Sequence, residues 1–215
     1  MDIAEIKPKL EAIFQQWGMP DAIKVDNGHP FGDPKLESLP VLALWLIAMG
    51  VNVIWNRPRR PTDNAKVERM QGTSARWAEP SQCNSLSNLQ TKLNVIATHQ
   101  RQFPTRVLKG KTRQESFPEL LTKRRQFDSN DFDIDRVHQV LAKANFVRKV
   151  SKDGRIALFG KYYQIGKKYA RIKVSISFSL EKKQWIAKDD KAIVLKEFNP
   201  DSITKQNILS LSLCQ

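Results

Sequence analysis

Apolar residues in the first 55 positions follow the spacing of alternating helices and strands. They recur every three or four positions over 3–17, which predicts an amphipathic helix. Two short apolar runs, 22–26 and 51–55, are typical of buried strands, and the largely apolar stretch 39–49 between them predicts a helix with Ser38 as its candidate N-cap. Strand, helix and strand joined by short connections predict a βαβ unit with two parallel strands.

Helical spacing continues after the second strand. Helices are predicted from position 62 or 63 to 77 and over 86–97, the second of them behind the capping residue Ser85. Residues 101–127 carry eight Lys/Arg against two Glu and are interrupted by prolines. They therefore predict a basic linker with a short helix over 113–121.

From Phe146 the apolar period changes to two. A small helix over 134–142 is expected just before this change, and turn signals at 152–154 and 159–161 separate the alternating segments. The predicted strands are 155–159, 162–165, 170–174, 185–187 and 192–195. Four to six short strands in about fifty residues predict a small β-barrel. The fold class expected for the whole chain is therefore α/β.

Charge is distributed unevenly along the chain and narrows the choice of partners. The 215 residues contain 36 Lys/Arg and 22 Asp/Glu, a formal net charge of +14. Residues 1–100 carry 11 Lys/Arg against 10 Asp/Glu, whereas residues 101–215 carry 25 against 12. Lys and Arg bind polyphosphates by displacing condensed counterions, so the second half is expected to contact a nucleic acid. A merely soluble basic protein is the alternative.

Cysteine use and hydropathy argue against several classes of protein. Cys83 and Cys214 are far apart and lie near no histidine pair with zinc-finger spacing, which disfavours a zinc finger and a disulfide framework. The chain begins without a signal-peptide pattern, and its longest apolar run, 41–49, is too short to span a bilayer. We therefore expect a cytoplasmic protein without a membrane partner.

Two carboxylates are candidates for catalysis. Asp26 closes the first predicted strand, and Glu68 lies on the helix after the second. Positions just past the ends of parallel strands gather at one sheet edge, so both side chains are expected to face the same crevice. Carboxylate oxygens suit Mg²⁺ or Mn²⁺, and two such ions can activate a nucleophile and stabilise the leaving oxygen of a phosphodiester. Taken alone, a turn aspartate and a surface glutamate are the more frequent explanation.

The residues around both carboxylates carry a family resemblance. The segments DNGHPF (26–31) and NRPRRPTDNAKVER (56–69) closely resemble the second and third acidic motifs of the DDE recombinases. This superfamily contains the retroviral integrases and many bacterial insertion-sequence transposases. The resemblance implies an RNase H-like core, in which three carboxylates hold two metal ions, Mg²⁺ or Mn²⁺.

The resemblance also assigns individual residues. Asp26 matches the second acid and Glu68 the third, which makes both candidate catalytic residues and metal ligands. Asn64, Lys66 and Arg69 match the positions that flank the third acid and are candidate DNA contacts. The likeness extends through GKTRQESF (110–117), where the family's usual Thr-Pro is Thr-Arg, to the small C-terminal barrel, and covers about residues 3–198.

The start of the chain departs from the family pattern. The first acid of these enzymes lies on a strand of a three-stranded segment before the first helix, whereas Asp2 is the only acid before that helix here. One residue cannot replace three strands. We therefore expect a truncated, partial RNase H-like core without its first three strands at 1–100. This core is followed by a basic linker with helices at 101–144, a DNA-binding barrel at 145–198 and a tail at 199–215. With two of the three carboxylates, this chain is expected to bind Mg²⁺ or Mn²⁺ weakly or not at all.

Basic residues in two places are candidate DNA contacts. Arg57, Arg59 and Arg60 lie in the proline-rich loop beside the expected active-site edge, where a solvated loop is the alternative. Residues 148–173 carry nine Lys/Arg against one Asp, interleaved with aromatic residues of which most are expected in the barrel core. The candidates in this second region are Arg148, Lys149, Lys161, Lys167 and Lys168.

Three functions remain open on the sequence alone. The first is a fragment of a bacterial, nucleoid-associated DNA transposase or integrase that acts by metal-dependent transesterification and is inactive alone because the first acid is missing. Its expected partners are mobile-element ends, target DNA, further copies of itself and the full-length transposase. The second is a non-catalytic DNA-binding protein that modulates or inhibits an intact transposase. The third is a basic RNA-binding protein whose acidic motifs are coincidental.

Overall fold

The structure is a computed structural model that describes residues 3–32, 35, 39–119 and 125–212. Asp2, Ser38 and Cys214 lie outside these ranges. The chain is mixed α/β, as its hydrophobic pattern predicts. It divides into two compact units, the first formed by Met1–Pro58 with Gln126–Gln215 and the second by Arg59–Arg125. Within the described ranges, every helix is too short or too polar to cross a membrane.

The predicted βαβ arrangement is present in the first unit. Helix α1 covers Ile3–Trp17, strand β1 Ala22–Val25, helix α2 Val41–Ala48 and strand β2 Asn52–Trp55. The two strands pair in parallel along their whole lengths, so the first residues of both strands are opposite each other, as are the last. This prediction is confirmed, although α2 begins two residues later and ends one residue earlier than the stretch 39–49.

The second unit is described as three helices: α3 (Ala65–Ala78), α4 (Leu86–Gln102) and α5 (Arg113–Ser116). Local sequence determines where two of them begin. The Ser85 hydroxyl accepts a hydrogen bond from Asn88 N at 3.1 Å, and Thr112 forms a reciprocal capping box with Glu115. The predicted helix 113–121 is thus shorter, and its last two positions lie outside the described residues.

The C-terminal part of the first unit contains helices α6 (Ile134–Leu141) and α7 (Lys205–Leu209) and six strands. The strands are β3 Asn145–Lys149, β4 Arg155–Leu158, β5 Lys161–Gln164, β6 Lys173–Ser179, β7 Gln184–Lys188 and β8 Val194–Phe198. β6 begins later than the predicted 170–174 because Arg171 has a left-handed backbone (φ 69°), which a strand does not accommodate.

The six strands form two antiparallel sheets. β3, β6, β7 and β8 form a four-stranded sheet in that spatial order, and β4 pairs with β5 in a hairpin. Among the described residues, β4 and β5 pair as strands only with each other, and no closed barrel is present. This arrangement differs from the expected barrel. Alternation of apolar and polar residues indicates where strands are, but it does not determine which strands pair with each other.

The hairpin depends on Gly154. Its φ is +79°, and a Cβ atom at this position would lie 2.4 Å from the backbone carbon of Gly166. This close approach lets the Gly154 carbonyl accept hydrogen bonds from Ile165 N at 2.8 Å and Gly166 N at 3.0 Å. Only glycine combines this backbone conformation with the absence of a side chain, so the turn signal at 152–154 has a physical cause.

One hydrophobic core joins the two parts of the first unit. All eight residues of α2 are buried, as expected for a helix that is apolar on every side. α2 packs against β2, α6 and α7, and its residue Trp45 stacks on Phe14 of α1 with ring centroids 6.2 Å apart. The α2 carbonyl of Ala48 accepts hydrogen bonds from Asp133 N at 3.0 Å and from the Arg136 guanidinium at 3.1 Å. Helix α7, in the expected tail, contributes the fully buried Ile208.

Candidate functional site

Asp26 lies where the sequence places it, directly after β1 with an exposed side chain. Its neighbour is Asn56, the residue that follows the parallel strand β2. The Asn56 side-chain Nδ2 donates a hydrogen bond to Asp26 Oδ1 at 2.6 Å, and the Asn56 backbone N donates to the Val25 carbonyl at 3.0 Å. The parallel pairing therefore continues one residue beyond the strands and brings this amide to the carboxylate.

Asn56 is a site residue that the motif analysis did not single out. It is only 5% exposed, and its Oδ1 atom has no hydrogen-bond partner among the described residues. The amide cannot simply be reversed, because Oδ1 would then face the carboxylate oxygen at 2.6 Å. The strand register was the signal that could have identified it, since the residues after two parallel paired strands are opposite each other.

The loop that follows Asp26 is held close to the strand ends. Gly28 has a φ of +103°, and its backbone N donates to the Gly32 carbonyl. The indole Nε1 of Trp55 donates to the Phe31 carbonyl at 2.8 Å. These contacts account for the DNGHPF spacing: glycines permit the turn, and the tryptophan at the end of β2 anchors it.

Glu68 lies in the first turn of α3, in the second unit, and its side chain is exposed. Asn64 occupies the N-cap position, and its carbonyl accepts the first helical hydrogen bonds from Val67 N at 2.9 Å and Glu68 N at 3.0 Å. Lys66 and Arg69 are also exposed and are three residues apart, so they share one face of the helix. The family-matched residues at 64–69 thus occupy the beginning of a single helix.

The three arginines of the proline-rich loop are all exposed. Arg57 belongs to the first unit, whereas Arg59 and Arg60 begin the second. Arg59 has a left-handed backbone with φ 58°, and the Arg60 carbonyl accepts a hydrogen bond from Asp63 N at 3.0 Å. Exposed guanidinium groups suit contacts to phosphates.

A complete metal centre is not assembled by the side chains that the structure describes. No group of three or more His, Cys, Asp or Glu residues in those ranges has the geometry to hold an ion. Asp26 and Glu68 each offer carboxylate oxygens of the kind that Mg²⁺ and Mn²⁺ prefer, but they belong to different units. Each of the two carboxylates fits a single ligand position of such an ion.

The basic residues at the start of the C-terminal sheet lie on both of its faces. Arg148 is half-buried, its guanidinium lies 5.7 Å from the ring centre of Phe146, and its Nε donates to the Ala157 carbonyl at 3.3 Å. The neighbouring Lys149 is exposed and, since strand residues alternate, lies on the opposite face. Arg148 is therefore partly engaged in packing, whereas Lys149 is exposed.

The other basic candidates lie around the β4–β5 hairpin. Lys161 begins β5, and its Nζ donates to the Asp201 carbonyl at 3.4 Å. Lys167 and Lys168 are exposed on a short turn of 3₁₀ helix, where the Lys168 Nζ lies 4.8 Å from the ring centre of Tyr169. All three side chains are exposed.

The expectation that most C-terminal aromatic residues are core is confirmed for Phe159 and Tyr163, which are 7% and 8% exposed. Burial raises the pKa of the Tyr163 phenol above its ordinary value. Tyr162 differs: it is 75% exposed on the outer side of the hairpin, and the guanidinium of Arg155 lies 5.9 Å from its ring centre. An exposed tyrosine beside an arginine suits stacking against a nucleobase.

No protein-family model matches the chain.

Proposed function

We propose that this chain is part of a DDE-type DNA transposase or integrase, which joins DNA by metal-dependent transesterification of phosphodiesters. In this proposal residues 1–100 belong to a partial RNase H-like core, and 145–198 correspond to the small DNA-binding barrel of the bacterial enzymes. Asp26 and Glu68 are its second and third acids. Only two of the three acids are matched by residues of this chain, so the 215-residue polypeptide is expected to bind DNA without cutting it.

The observation that carries the proposal is the setting of Asp26. An exposed carboxylate lies at the carboxyl end of a parallel βαβ strand and is held by a buried amide at the end of the neighbouring strand. A buried amide oxygen without a partner costs free energy, so a purely structural turn would favour an apolar residue at position 56. The arrangement suits a carboxylate whose orientation matters for binding a cation at a sheet edge.

The charge of the chain supports DNA as the partner. The 36 Lys/Arg against 22 Asp/Glu give a net charge of +14, and the excess is concentrated after residue 100. Arg57, Arg59 and Arg60 next to the motifs are exposed and are assigned to the DNA backbone. Lys66 and Arg69 are assigned to the same role from the first turn of α3.

DNA binding in the presence of Mn²⁺ tests this proposal. The full chain is titrated into a fluorescently labelled DNA duplex with and without millimolar Mn²⁺, alongside Asp26→Asn and Glu68→Gln. Two carboxylates hold an ion only weakly. Millimolar Mn²⁺ should therefore tighten DNA binding by the wild-type chain only modestly, by linking carboxylates to phosphates, and should have less effect on each variant. Without Mn²⁺, each variant should bind DNA at least as tightly as the wild-type chain, because it lacks one negative charge.

Equal responses of the three proteins to Mn²⁺ would contradict the assignment of the acids. Rapid DNA cleavage by the unmodified chain would contradict the expectation that it is inactive alone. Glu11→Gln is a matched control for Glu68→Gln, since it removes one carboxylate from a helix outside both motifs.

A second function, a non-catalytic DNA-binding protein that modulates an intact transposase, is favoured by the same charge distribution. The basic half of the chain retains exposed lysines irrespective of the acids. Co-expression with a full-length transposase of this type is expected to lower its transposition frequency if the chain occupies DNA ends or joins its multimers. An unchanged frequency would count against this second function.

A further inference from the structure

The outer face of the four-stranded sheet carries an unusual pair of lysines. Lys149 on β3 and Lys173 on β6 are paired directly opposite each other in the antiparallel register, and both are exposed. Residues in this relation have Cβ atoms about 5 Å apart, and like charges placed there destabilise the sheet. The structure thus contains a local feature that disfavours the folded state unless something binds both charges.

Neither lysine is neutralised by an acid within the described part of the chain. Two lysines of the turn between β6 and β7 do have partners: Lys182 Nζ lies 2.7 Å from Glu197 Oε1, and Lys183 Nζ lies 2.8 Å from Asp135 Oδ1. The salt bridges described for this unit include no contact to Lys149 or Lys173. Two acids of the region, Glu197 and Asp135, are therefore paired with other lysines.

The rest of this face combines neutral polar groups with the apolar side chains of Val147 and Ile186, which are opposite Ser175 and Ser177. Val174, Ile176 and Phe178 of β6 are buried, so the alternate residues of that strand share the face of Lys173. These include Ser175 and Ser177, and the Ser175 hydroxyl donates to Asn145 Oδ1 at 2.6 Å. Lys188 of β7 pairs opposite Ser175 and adds a third cation. On β3, β6 and β7, this face carries no acidic residue, whereas on β8 Glu197 is opposite Ile186 and forms an ion pair with Lys182.

We propose that this outer face, defined by Lys149, Lys173, Lys188, Ser175 and Ser177, binds the phosphate backbone of duplex DNA. The inference rests on the proposed function for the choice of DNA, and it adds a surface that includes Lys173 and Lys188. From Lys173 to Ser177 the strand extends about 13 Å, which is long enough for several phosphates in a row and longer than a single phosphate needs. Lysines contact phosphates as point charges, and serine hydroxyls can donate to phosphate oxygens.

Of the two adjacent basic residues on β3, Lys149 lies on the proposed DNA-binding face and Arg148 does not. Arg148 lies on the inner side and bonds to backbone carbonyls of Val147 and Ala157. The strand alternation therefore separates two adjacent basic residues into one that packs and one that binds.

The experiment compares two pairs of lysine substitutions in the full chain. One variant combines Lys149→Gln with Lys173→Gln; the control combines Lys182→Gln with Lys183→Gln, which removes the same charge from ion-paired lysines of the same unit. Binding to a labelled 30-base-pair duplex is measured by fluorescence anisotropy over a series of salt concentrations. Thermal unfolding of each variant verifies that it folds.

The Lys149/Lys173 variant is expected to bind about tenfold or more weakly at 0.1 M salt. Its plot of log affinity against log salt should become shallower by about two, one for each lost phosphate contact. Its melting temperature should be equal to or above that of the wild-type chain, since the like-charge pair is removed. The control should keep most of the affinity and the slope.

Equal losses in the two variants would overturn this inference, because binding would then depend only on total charge. Such a result would leave DNA binding by the chain intact. Absence of DNA binding by the wild-type chain would instead overturn the proposed function together with the inference.

Discussion

At the scale of single residues, Asn56 connects the fold to the candidate site. Its Nδ2 holds the exposed carboxylate of Asp26, while its Oδ1 lies in the protein without a described hydrogen-bond partner. An unsatisfied buried oxygen typically costs about 1–3 kcal/mol, whereas a hydrogen bond to a solvent-accessible carboxylate is partly replaced by water when it is lost. The amide therefore contributes more to placing Asp26 than to stability.

This balance predicts the effect of replacing Asn56 with an apolar residue of similar size. Asn56→Leu should leave the free energy of unfolding unchanged or raise it by about 1 kcal/mol, because it removes the unsatisfied oxygen. Urea denaturation of both proteins measures the difference. Asn56→Ala is the control, since it removes the same polar atoms but leaves a cavity, and it should be less stable than Asn56→Leu. A loss greater than about 1 kcal/mol in Asn56→Leu would show that the amide is mainly structural.

Asp135 predicts a pH dependence of stability. The hydrogen bonds from Lys183 and His138 hold the pKa of this carboxyl below its ordinary value of 3.8. A carboxyl whose pKa is lowered by folding contributes stability at neutral pH, and this contribution is lost as pH falls through the pKa of the folded state. The melting temperatures of wild-type and Asp135→Asn should therefore differ at pH 7, and the difference should start to shrink only below about pH 4 and decrease as the pH falls through the lowered pKa.

The control for Asp135 is Asp190→Asn, which removes an exposed carboxylate from a turn of the same unit. It should give little difference in melting temperature at either pH. A difference between wild-type and Asp135→Asn that is undiminished at pH 2.5 would contradict the role assigned to the Lys183 and His138 contacts.

Parts of the site were accessible from sequence and parts were not. Asp26 and Glu68 were found because motif spacing placed them at a strand end and at a helix start, and both are there. Asn56 was contained in the matched motif but received no role, because its contact with Asp26 depends on strand register. The opposition of Lys149 and Lys173 also depends on register, which a single strand pattern does not determine.

At the scale of elements, hydrophobic period predicted most of the fold. The βαβ order, the helix behind Ser85 and the strand-rich region after Phe146 were all found. The predictions were wrong where a turn determines the start of a strand, or where the pairing of strands determines the sheet. Arg171 delays β6 through a left-handed backbone, and β4 with β5 forms a separate hairpin. Local alternation carries no information on either point, because both depend on contacts between distant segments.

The buried helix α2 predicts that the two parts of the first unit unfold together. Leu44 is fully buried in the cluster that extends from Phe14 to Ile208. Leu44→Ala should lower stability by about 2–5 kcal/mol. Native-state hydrogen exchange should accelerate in β6 and β7 as well as in β1 and β2, since all belong to one core.

Leu86→Ala is the matched control for Leu44→Ala, because Leu86 lies in the second unit and is 86% exposed. It should leave hydrogen exchange in the first unit unchanged. Acceleration limited to residues 3–58 in Leu44→Ala would show that the N-terminal and C-terminal parts unfold independently.

At the scale of the whole molecule, two compact units carry different parts of the proposed function. The first contains Asp26 and the C-terminal sheet, and the second contains Glu68 and most of the basic linker. The first unit is built from two separate segments of the chain, one before residue 59 and one after residue 125. Sequence analysis divides a chain into consecutive segments, so it could not anticipate that α2 shares a core with α6 and α7.

The salt dependence of DNA binding is the first property to measure, because an electrostatic DNA contact is the basis of the proposed function. The affinity of the wild-type chain for a mixed-sequence duplex should fall steeply and linearly on a double-logarithmic plot between 50 and 200 mM salt. Four or more phosphate contacts correspond to a loss of about a hundredfold or more over this range. Undetectable binding, or an affinity that salt leaves unchanged, would contradict the account.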